Sequence, residues 1–324
     1  MQTDTDNRKH AARYVSIEPD GAGQRLDNYL LSCLKGVPRS HVYRLIRSGQ
    51  VRVNSGRVGA RYRLQAGDKV RIPPVATRPS LPPAELPQRV SWLTGRIVHE
   101  DARLLVIDKP AGLAVHGGSG IRLGCIEALR ALRPELRTLE LVHRLDRGTS
   151  GCLLIAKRRS ALRTLHGLLR EGRVEKRYLT LIKGIWQRGA GPVDLALTAD
   201  RRPGEIRVKV DAQGKPAQSL FRLIEAYGAF ASYMEVILPT GRTHQIRVHA
   251  AHLGHPVAGD ERYGDARFNA RMTAVGLHRM FLHAHSVAFT WPDSGEEFSV
   301  SVPLPEDLAG VLATLAETKP GRAG

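Results

Sequence analysis

The stretch Leu141-Val-His-Arg-Leu-Asp-Arg-Gly-Thr-Ser-Gly151 decides how the rest of the chain is read. An apolar run from Leu139 to Val142 leads into it, and a second, Cys152 to Ala156, leads out. Short apolar runs bounded by turn formers read as buried strands. Gly148 and Gly151, with Thr149 and Ser150, predict a tight turn between them. The result is strand, loop, strand, with a single carboxylate, Asp146, at the loop tip. Arg144 and Arg147 flank it, and two such cations favour the charged carboxylate. A charged, orientated carboxylate can serve as a nucleophile or a base. On spacing alone, an exposed ion pair is the simpler reading.

Upstream, Leu104-Leu-Val-Ile107 reads as a buried strand that runs into Asp108-Lys-Pro-Ala-Gly112 and then Val115-His-Gly-Gly118. Residues 126–132 predict a short helix stopped near Pro134. Downstream, residues 161–171 predict a helix with Leu162, Leu165, Leu168 and Leu169 inward, ended by Gly172. Val174-Glu-Lys-Arg-Tyr-Leu-Thr-Leu-Ile182 reads as a strand, and alternating strands follow near residues 206–210, 219–226 and 231–238. Pro239-Thr-Gly-Arg-Thr-His-Gln-Ile-Arg-Val-His249 closes a strand and opens a helix, with Thr243 as its N-cap and Gly254 at its end. Residues 278–289 supply another strand. No internal repeat is present.

His143-Arg-Leu-Asp-Arg-Gly-Thr-Ser-Gly151 resembles the central motif of the RNA pseudouridine synthases of the large ribosomal-subunit type. The loop from Asp108, Glu175-Lys-Arg-Tyr178 and Gly241-Arg-Thr-His-Gln-Ile-Arg-Val-His249 match further motifs of that family in the right order. The likeness covers nearly the whole chain after an N-terminal tail and is greatest to the C-type subgroup, which acts on large-subunit ribosomal RNA. It implies an α+β catalytic domain with a mixed, largely antiparallel sheet and flanking helices and loops. It implies catalytic roles for Asp146, for its basic partner Arg247 and for Tyr178, which can stack on uracil. Arg144, His143, Arg242 and His244 are implied to contact the substrate, with Arg144 filling the place of a flipped-out base or gripping a phosphate. The reaction breaks the bond between uracil and ribose, turns the base and rejoins it through carbon. A carboxylate can attack the anomeric carbon or take the neighbouring proton. One carboxylate suffices because water never replaces the base, and the pocket must be closed and largely apolar to retain it.

Ahead of this domain, Leu26, Tyr29, Leu30 and Leu34 repeat at helical spacing. Pro38 opens a second helix whose apolar face is Val42, Leu45 and Ile46, ended by Gly49. Arg44 and Arg47 fall on its opposite face. Two strands, residues 51–53 and 69–72, alternate basic with apolar residues. The segment from Arg25 to Ile72 resembles the small RNA-binding domain first seen in ribosomal protein S-four, and the likeness assigns Arg39, Arg44, Arg47 and Arg52 to RNA. Residues 24–75 hold 11 basic and 2 acidic residues, a net charge of +9, whereas residues 91–324 hold 33 and 24, also +9 over a far longer stretch. The small domain is therefore the expected electrostatic anchor. The expected layout is a disordered tail (1–13), the small helix-rich domain (14–75), an extended Pro-rich linker (76–90) and the catalytic domain (91–324).

A formal net charge of +18 on 324 residues points to a polyanionic partner, and no apolar run or signal-peptide core argues for a membrane. The partner expected from the resemblance is large-subunit ribosomal RNA. Three scattered cysteines, Cys33, Cys125 and Cys152, fit reduced thiols in a cytoplasm. The histidines at 244, 249, 252, 255, 278, 283 and 285 lack a ligand motif and read as core and RNA-facing residues. A monomer without metal or cofactor is expected. Two other functions fit the same residues: an inactive ribosome-assembly protein and a glycosidase that releases free base.

Overall fold

The computed structural model describes residues 12–317 except 35–36, 38, 76–85, 118–122, 137, 190 and 203–204. The chain divides into two compact units, one ending at Arg89 and the other beginning at Val90. In the first, strand β1 (Arg13–Ser16) is followed by helices α1 (Leu26–Cys33) and α2 (Arg39–Arg47) and strands β2 (Arg52–Val53) and β3 (Lys69–Ile72). β3 lies between β1 and β2 and is antiparallel to both. Leu26 and Leu30 meet Val42, Leu45 and Ile46 over Val70 and Ile72, as the helical and alternating spacings require. Buried Asp27 accepts the Tyr43 hydroxyl at 2.6 Å and so pins α1 to α2. Gly49, at φ +72°, ends α2 in the left-handed region.

Two expectations change here, and a third falls outside the described residues. Residues 1–11 of the expected tail lie outside the described residues, but Arg13 already pairs with Ile72 in the sheet. Pro38 also lies outside them. Of the expected extended linker, residues 76–85 lie outside the described residues, and Leu86–Val90 is a short helix, α3. Pro87 falls in its first turn, where a missing N–H costs nothing.

In the second unit, β4 (Ile97–Glu100), β5 (Leu104–Lys109), α4 (Cys125–Leu132), β6 (Glu140–Leu141), β7 (Ser150–Ala156), α5 (Arg159–Arg170), β8 (Glu175–Lys183) and β9 (Pro192–Asp194) come first. A hairpin of β10 (Leu197–Arg202) and β11 (Glu205–Val210) follows, then β12 (Gln218–Tyr227), β13 (Ala231–Ile237) and α6 (Gln245–His252). The chain closes with α7 (Ala266–Ala274), β14 (Leu282–Thr290), β15 (Glu297–Ser301) and α8 (Glu306–Glu317). Among the described residues ten strands form one sheet in the order β4-β5-β7-β14-β8-β13-β12-β9, with β15 beside β14 and β6 beside β7. Among the described residues only the β7–β14 pairing is parallel, so the sheet is mixed and largely antiparallel.

The continuous apolar runs of β5 and β7 are buried on both faces. Leu105, Ile107, Leu153 and Ile155 share a cluster with Ile126 and Leu129 of α4, whereas Leu104, Val106, Cys152 and Leu154 share another with α5. α5 meets them with Ala161, Leu165 and Leu168, its Leu162 and Leu169 being only partly buried. Each such aliphatic side chain stabilises the fold by about 2 kcal/mol. That scaffold holds the central loop rigidly. Gly151 is at φ +106°, and a Cβ there would lie 2.2 Å from the Ala284 carbonyl oxygen, so the parallel contact of β7 with β14 needs glycine. Ala284 pairs with Gly151 on one side and with Tyr178 on the other, which carries Tyr178 to the loop that bears Asp146.

Candidate active site

The loop from His143 to Thr149 closes with a Thr149 N–H bond to the Asp146 carbonyl. Gly148 does not use the left-handed region, so Gly151 alone meets that demand. Fully buried Lys109 braces the loop from below. Its ammonium donates to the carbonyls of Pro110 and Leu113 at 2.9 Å and of Arg147 at 3.3 Å. Burial pulls its pKa down to about 8, while three carbonyl acceptors satisfy the charged form. The Gly112 N–H also bonds the Arg147 carbonyl, so the segment from Asp108 and the central loop are one unit.

Asp146 does not pair with its chain neighbours, which corrects the sequence reading. Arg147 donates through Nε to the Gly112 carbonyl at 2.9 Å, and Arg144 is exposed. The partner of Asp146 comes from α6: Arg247 Nη1 donates to Oδ2 at 3.0 Å. His244 Nε2 stands 3.8 Å from the same oxygen. Among the described residues nothing bonds Oδ1. Arg247 is held in turn by Asp260, whose carboxylate accepts Nε at 2.7 Å and Nη2 at 2.9 Å. The Arg262 and Tyr263 N–H groups complete the Asp260 Oδ1 shell at 2.9 and 3.1 Å. Burial of Asp260 opposes ionisation, and these donors outweigh it and hold its carboxyl below the usual range.

α6 is aimed by its own side chains. Thr243 is not its N-cap. His244 occupies that position at φ +55°, a left-handed conformation that costs a non-glycine residue on the order of 1 kcal/mol. Gln245 organises the turn instead, accepting from the Arg242 N–H at 2.9 Å and from the Thr240 hydroxyl at 2.8 Å. Its amide donates to the Gln218 carbonyl at 2.8 Å. His249 spans Ser219 and the Leu195 carbonyl, which fastens the helix to β12.

Asp146 borders two spaces. One is an open cleft of about 960 Å³, also lined by Ala111, Arg144, Arg147 and Met280. The other is a recess of about 90 Å³ lined by Tyr178, Leu238, Ile246, Leu282 and Arg242. The recess is the smaller of the two, and its wall mixes these apolar side chains with Thr149, His244 and Arg247. Tyr178 is buried, and that burial, with the charge of Asp146, raises its pKa well above the ordinary phenol range. His143 lines neither space. Its Nε2 accepts the Leu154 N–H at 3.1 Å, and burial drops its pKa to about 4, so it anchors the loop as a neutral ring. Arg242 donates to the Pro216 carbonyl at the recess edge. The structure thus brings Asp146, Arg247, Tyr178, His244 and Arg242 together and leaves His143 outside.

Sequence reading missed Lys109, Gln245, Asp260 and Tyr263 as supports of the site. The glycine-bracketed Gly259-Asp-Glu-Arg-Tyr-Gly264 was the available signal for the last two. Of the remaining histidines, His283 bonds Ser150 and the Val302 carbonyl, and His255 the Lys183 carbonyl. Among the described residues no group of three His, Cys, Asp or Glu side chains is arranged to hold a metal. In the first unit Arg44 and Arg47 are exposed on α2, and exposed Arg52 reaches the Gly49 and Ser55 carbonyls at 3.3 Å. The side chain of Arg39 lies outside the described residues. No helix among the described residues is long and apolar enough to cross a membrane. All three cysteines are free.

Comparison with known proteins bears on these two units separately. The family described as RNA pseudouridylate synthase matches residues 103–252, and the S4 domain matches residues 24–70. The chain is 50% identical over 312 residues to ribosomal large subunit pseudouridine synthase C of Pasteurella multocida (strain Pm70), covering 95% of each chain. It is 48% identical over 324 residues to the protein of the same name from Escherichia coli (strain K12), covering 98% of this chain and 100% of that one. Human RNA pseudouridylate synthase domain containing 4 shares the fold, with a TM-score of 0.60 at 24% identity over 72% of this chain and 97% of that one. Human RNA pseudouridylate synthase domain containing 1 gives a TM-score of 0.52 at 27% identity, covering 68% and 94%.

Proposed function

The chain belongs to the RNA pseudouridylate synthase family, and on that premise we propose that it isomerises specific uridines of large-subunit ribosomal RNA to pseudouridine in the cytoplasm. The observation that carries this reading is the 3.0 Å pair between Asp146 and Arg247 at the junction of an open cleft and a smaller recess beside Tyr178. RNA enters the cleft, and the target base is flipped into the recess. Arg247 and His244 both face Oδ2, so Oδ1 is the oxygen left to act on the ribose. The glycosidic bond breaks with its electron pair going to the base, the base turns, and a carbon–carbon bond forms. The new ring carbon then gives up its proton while the former glycosidic nitrogen gains one. Nothing is oxidised and no group is added, so the balance calls for neither cofactor nor metal. Arg144, exposed at the cleft, fits the gripping of RNA where the base has left the stack.

Tyr178→Phe separates stacking from proton transfer. Phenylalanine keeps the ring face and removes the hydroxyl. The buried phenol holds its proton tightly, so it acts as a relay that gives one proton as it takes another. The variant is expected to bind RNA normally and lose about 10²-fold in tritium release from RNA labelled at the bond-forming ring carbon. Near-normal release leaves Tyr178 a stacking platform only.

The small unit supplies phosphate contacts. Replacing Arg44 and Arg47 together by glutamine is expected to weaken RNA binding and reduce the slope of log K against log salt by about 1.4. An unchanged slope assigns the electrostatics to the catalytic unit.

The decisive test of the function is a map of modified uridines in ribosomal RNA from cells with and without this protein. Loss of defined pseudouridines, with RNA mass unchanged by the enzyme in vitro, supports isomerisation. Loss of uracil from the RNA supports a glycosidase, and no change an inactive assembly protein.

A further inference from the structure

We propose that Tyr263, held by the backbone N–H of Val208, is a positioning residue that fixes His244 as the tautomer with its proton on Nε2, directed at Asp146. The effect on turnover rests on the proposed function. The effect on the imidazole does not.

The argument is one of donors and acceptors. The Tyr263 hydroxyl oxygen has two neighbours: the Val208 nitrogen at 2.9 Å and His244 Nδ1 at 2.9 Å. A backbone N–H can only donate, so the phenol accepts from Val208. Its own single hydrogen is then left for His244 Nδ1, which must be the bare nitrogen. A neutral ring with a bare Nδ1 carries its hydrogen on Nε2, and Nε2 faces Asp146 Oδ2 across 3.8 Å. In the opposite tautomer the phenol would receive two N–H groups, and its own hydrogen would find no acceptor among the bonds of the described residues. The Nε2 lone pair would then face a carboxylate oxygen.

Other contacts make this arrangement specific. The Tyr263 and His244 rings meet edge to face with centroids 5.5 Å apart. The Arg247 guanidinium lies over the Tyr263 ring, 5.0 Å from its centroid. One side chain therefore touches both groups that face Asp146 Oδ2. His244 has little backbone freedom at φ +55°. Burial, outweighing the opposing charge of Asp146, lowers the pKa of its imidazole and so favours the neutral ring. The donor Val208 belongs to β11 and is packed with Val248 of α6, so the β10–β11 hairpin is tied to the tautomer. At 3.8 Å the Nε2–H orients the carboxylate electrostatically rather than as a full hydrogen bond. It leaves Oδ1 as the reacting oxygen.

The test uses the full chain labelled with nitrogen-15 histidine, with the His244 signals identified by their loss in His244→Gln. The expected spectrum shows Nδ1 as an unprotonated and Nε2 as a protonated ring nitrogen. Tyr263→Phe keeps the ring under Arg247 and removes the hydroxyl. It is expected to move both His244 nitrogens toward a mixture of tautomers and to lower kcat about tenfold with KM within about twofold. A protonated Nδ1 in the unsubstituted protein overturns the proposal, and that spectrum decides even if Tyr263→Phe fails to fold. Unmoved nitrogen signals in a folded Tyr263→Phe overturn it too, as does an unchanged kcat when the signals have moved. An unsubstituted protein without isomerase activity overturns the functional reading while the nitrogen spectrum still decides the tautomer.

Discussion

Asp146→Asn is expected to lower pseudouridine formation by at least about 10⁴-fold while the protein stays folded and bound to RNA. Asparagine matches the acid in shape, and its carbonyl can still accept from Arg247 Nη1, which now stands at 3.0 Å. Arg247 keeps both bonds to Asp260, so no buried charge is left without a partner. The loss of stability is therefore about 1 kcal/mol or less. RNA binding holds or tightens, because one negative charge leaves the cleft. What disappears is the charged oxygen Oδ1 that acts on the ribose. Three measurements on one preparation check this: the urea midpoint, RNA retention on a filter, and tritium release. Turnover within tenfold of the unsubstituted protein removes Asp146 from the chemistry.

Asp260→Asn reverses the profile. Asp260 borders the cleft with its carboxylate fully buried, and that carboxylate holds Arg247 at two points and two backbone N–H groups besides. The amide offers one acceptor and presents an NH2 group to a guanidinium. Breaking a buried pair in this way costs about 3 kcal/mol. Arg247 is no longer aimed at Asp146, and kcat is expected to fall about 10²-fold as well. The acid side of the stability curve gives a second readout. Arg247 and the N–H groups hold the folded pKa of Asp260 below its unfolded value. Such a group contributes stability that is present above the unfolded carboxylate pKa, about 4, and is lost as pH falls through the folded value. The unsubstituted protein carries that contribution and the asparagine variant does not, so the gap between their unfolding free energies should narrow below about pH 4. A gap that stays constant into that range, or a variant as stable as its parent at pH 7, means that Asp260 is not the anchor of Arg247.

The amino-acid sequence by itself determined the elements that local spacing encodes. The two apolar runs around His143 to Gly151 are strands β6 and β7, the 3.6-residue repeats became α1, α2 and α5, and the alternations near residues 174–182 and 219–238 became β8, β12 and β13. Motif wording also pointed to Asp146, Tyr178 and Arg247, which the fold brings together. Only tertiary structure decided who holds whom. Arg144 and Arg147 flank Asp146 in the chain, but the turn sends Arg147 to the Gly112 carbonyl and leaves Arg144 exposed. Arg247, 101 residues away, is the partner because the parallel pairing of β7 with β14 and the Gln245-built turn carry α6 to the loop. His143, adjacent to the site in sequence, became a brace for Leu154, whereas Lys109 braces the loop from the motif that begins at Asp108, and Asp260 and Tyr263 support the site from outside the motifs. Hydrophobic period specifies which face of an element is buried, over a reach of a few residues. It carries no information on which donor meets which acceptor across the sheet, and that pairing is what sets the charge and proton positions around Asp146.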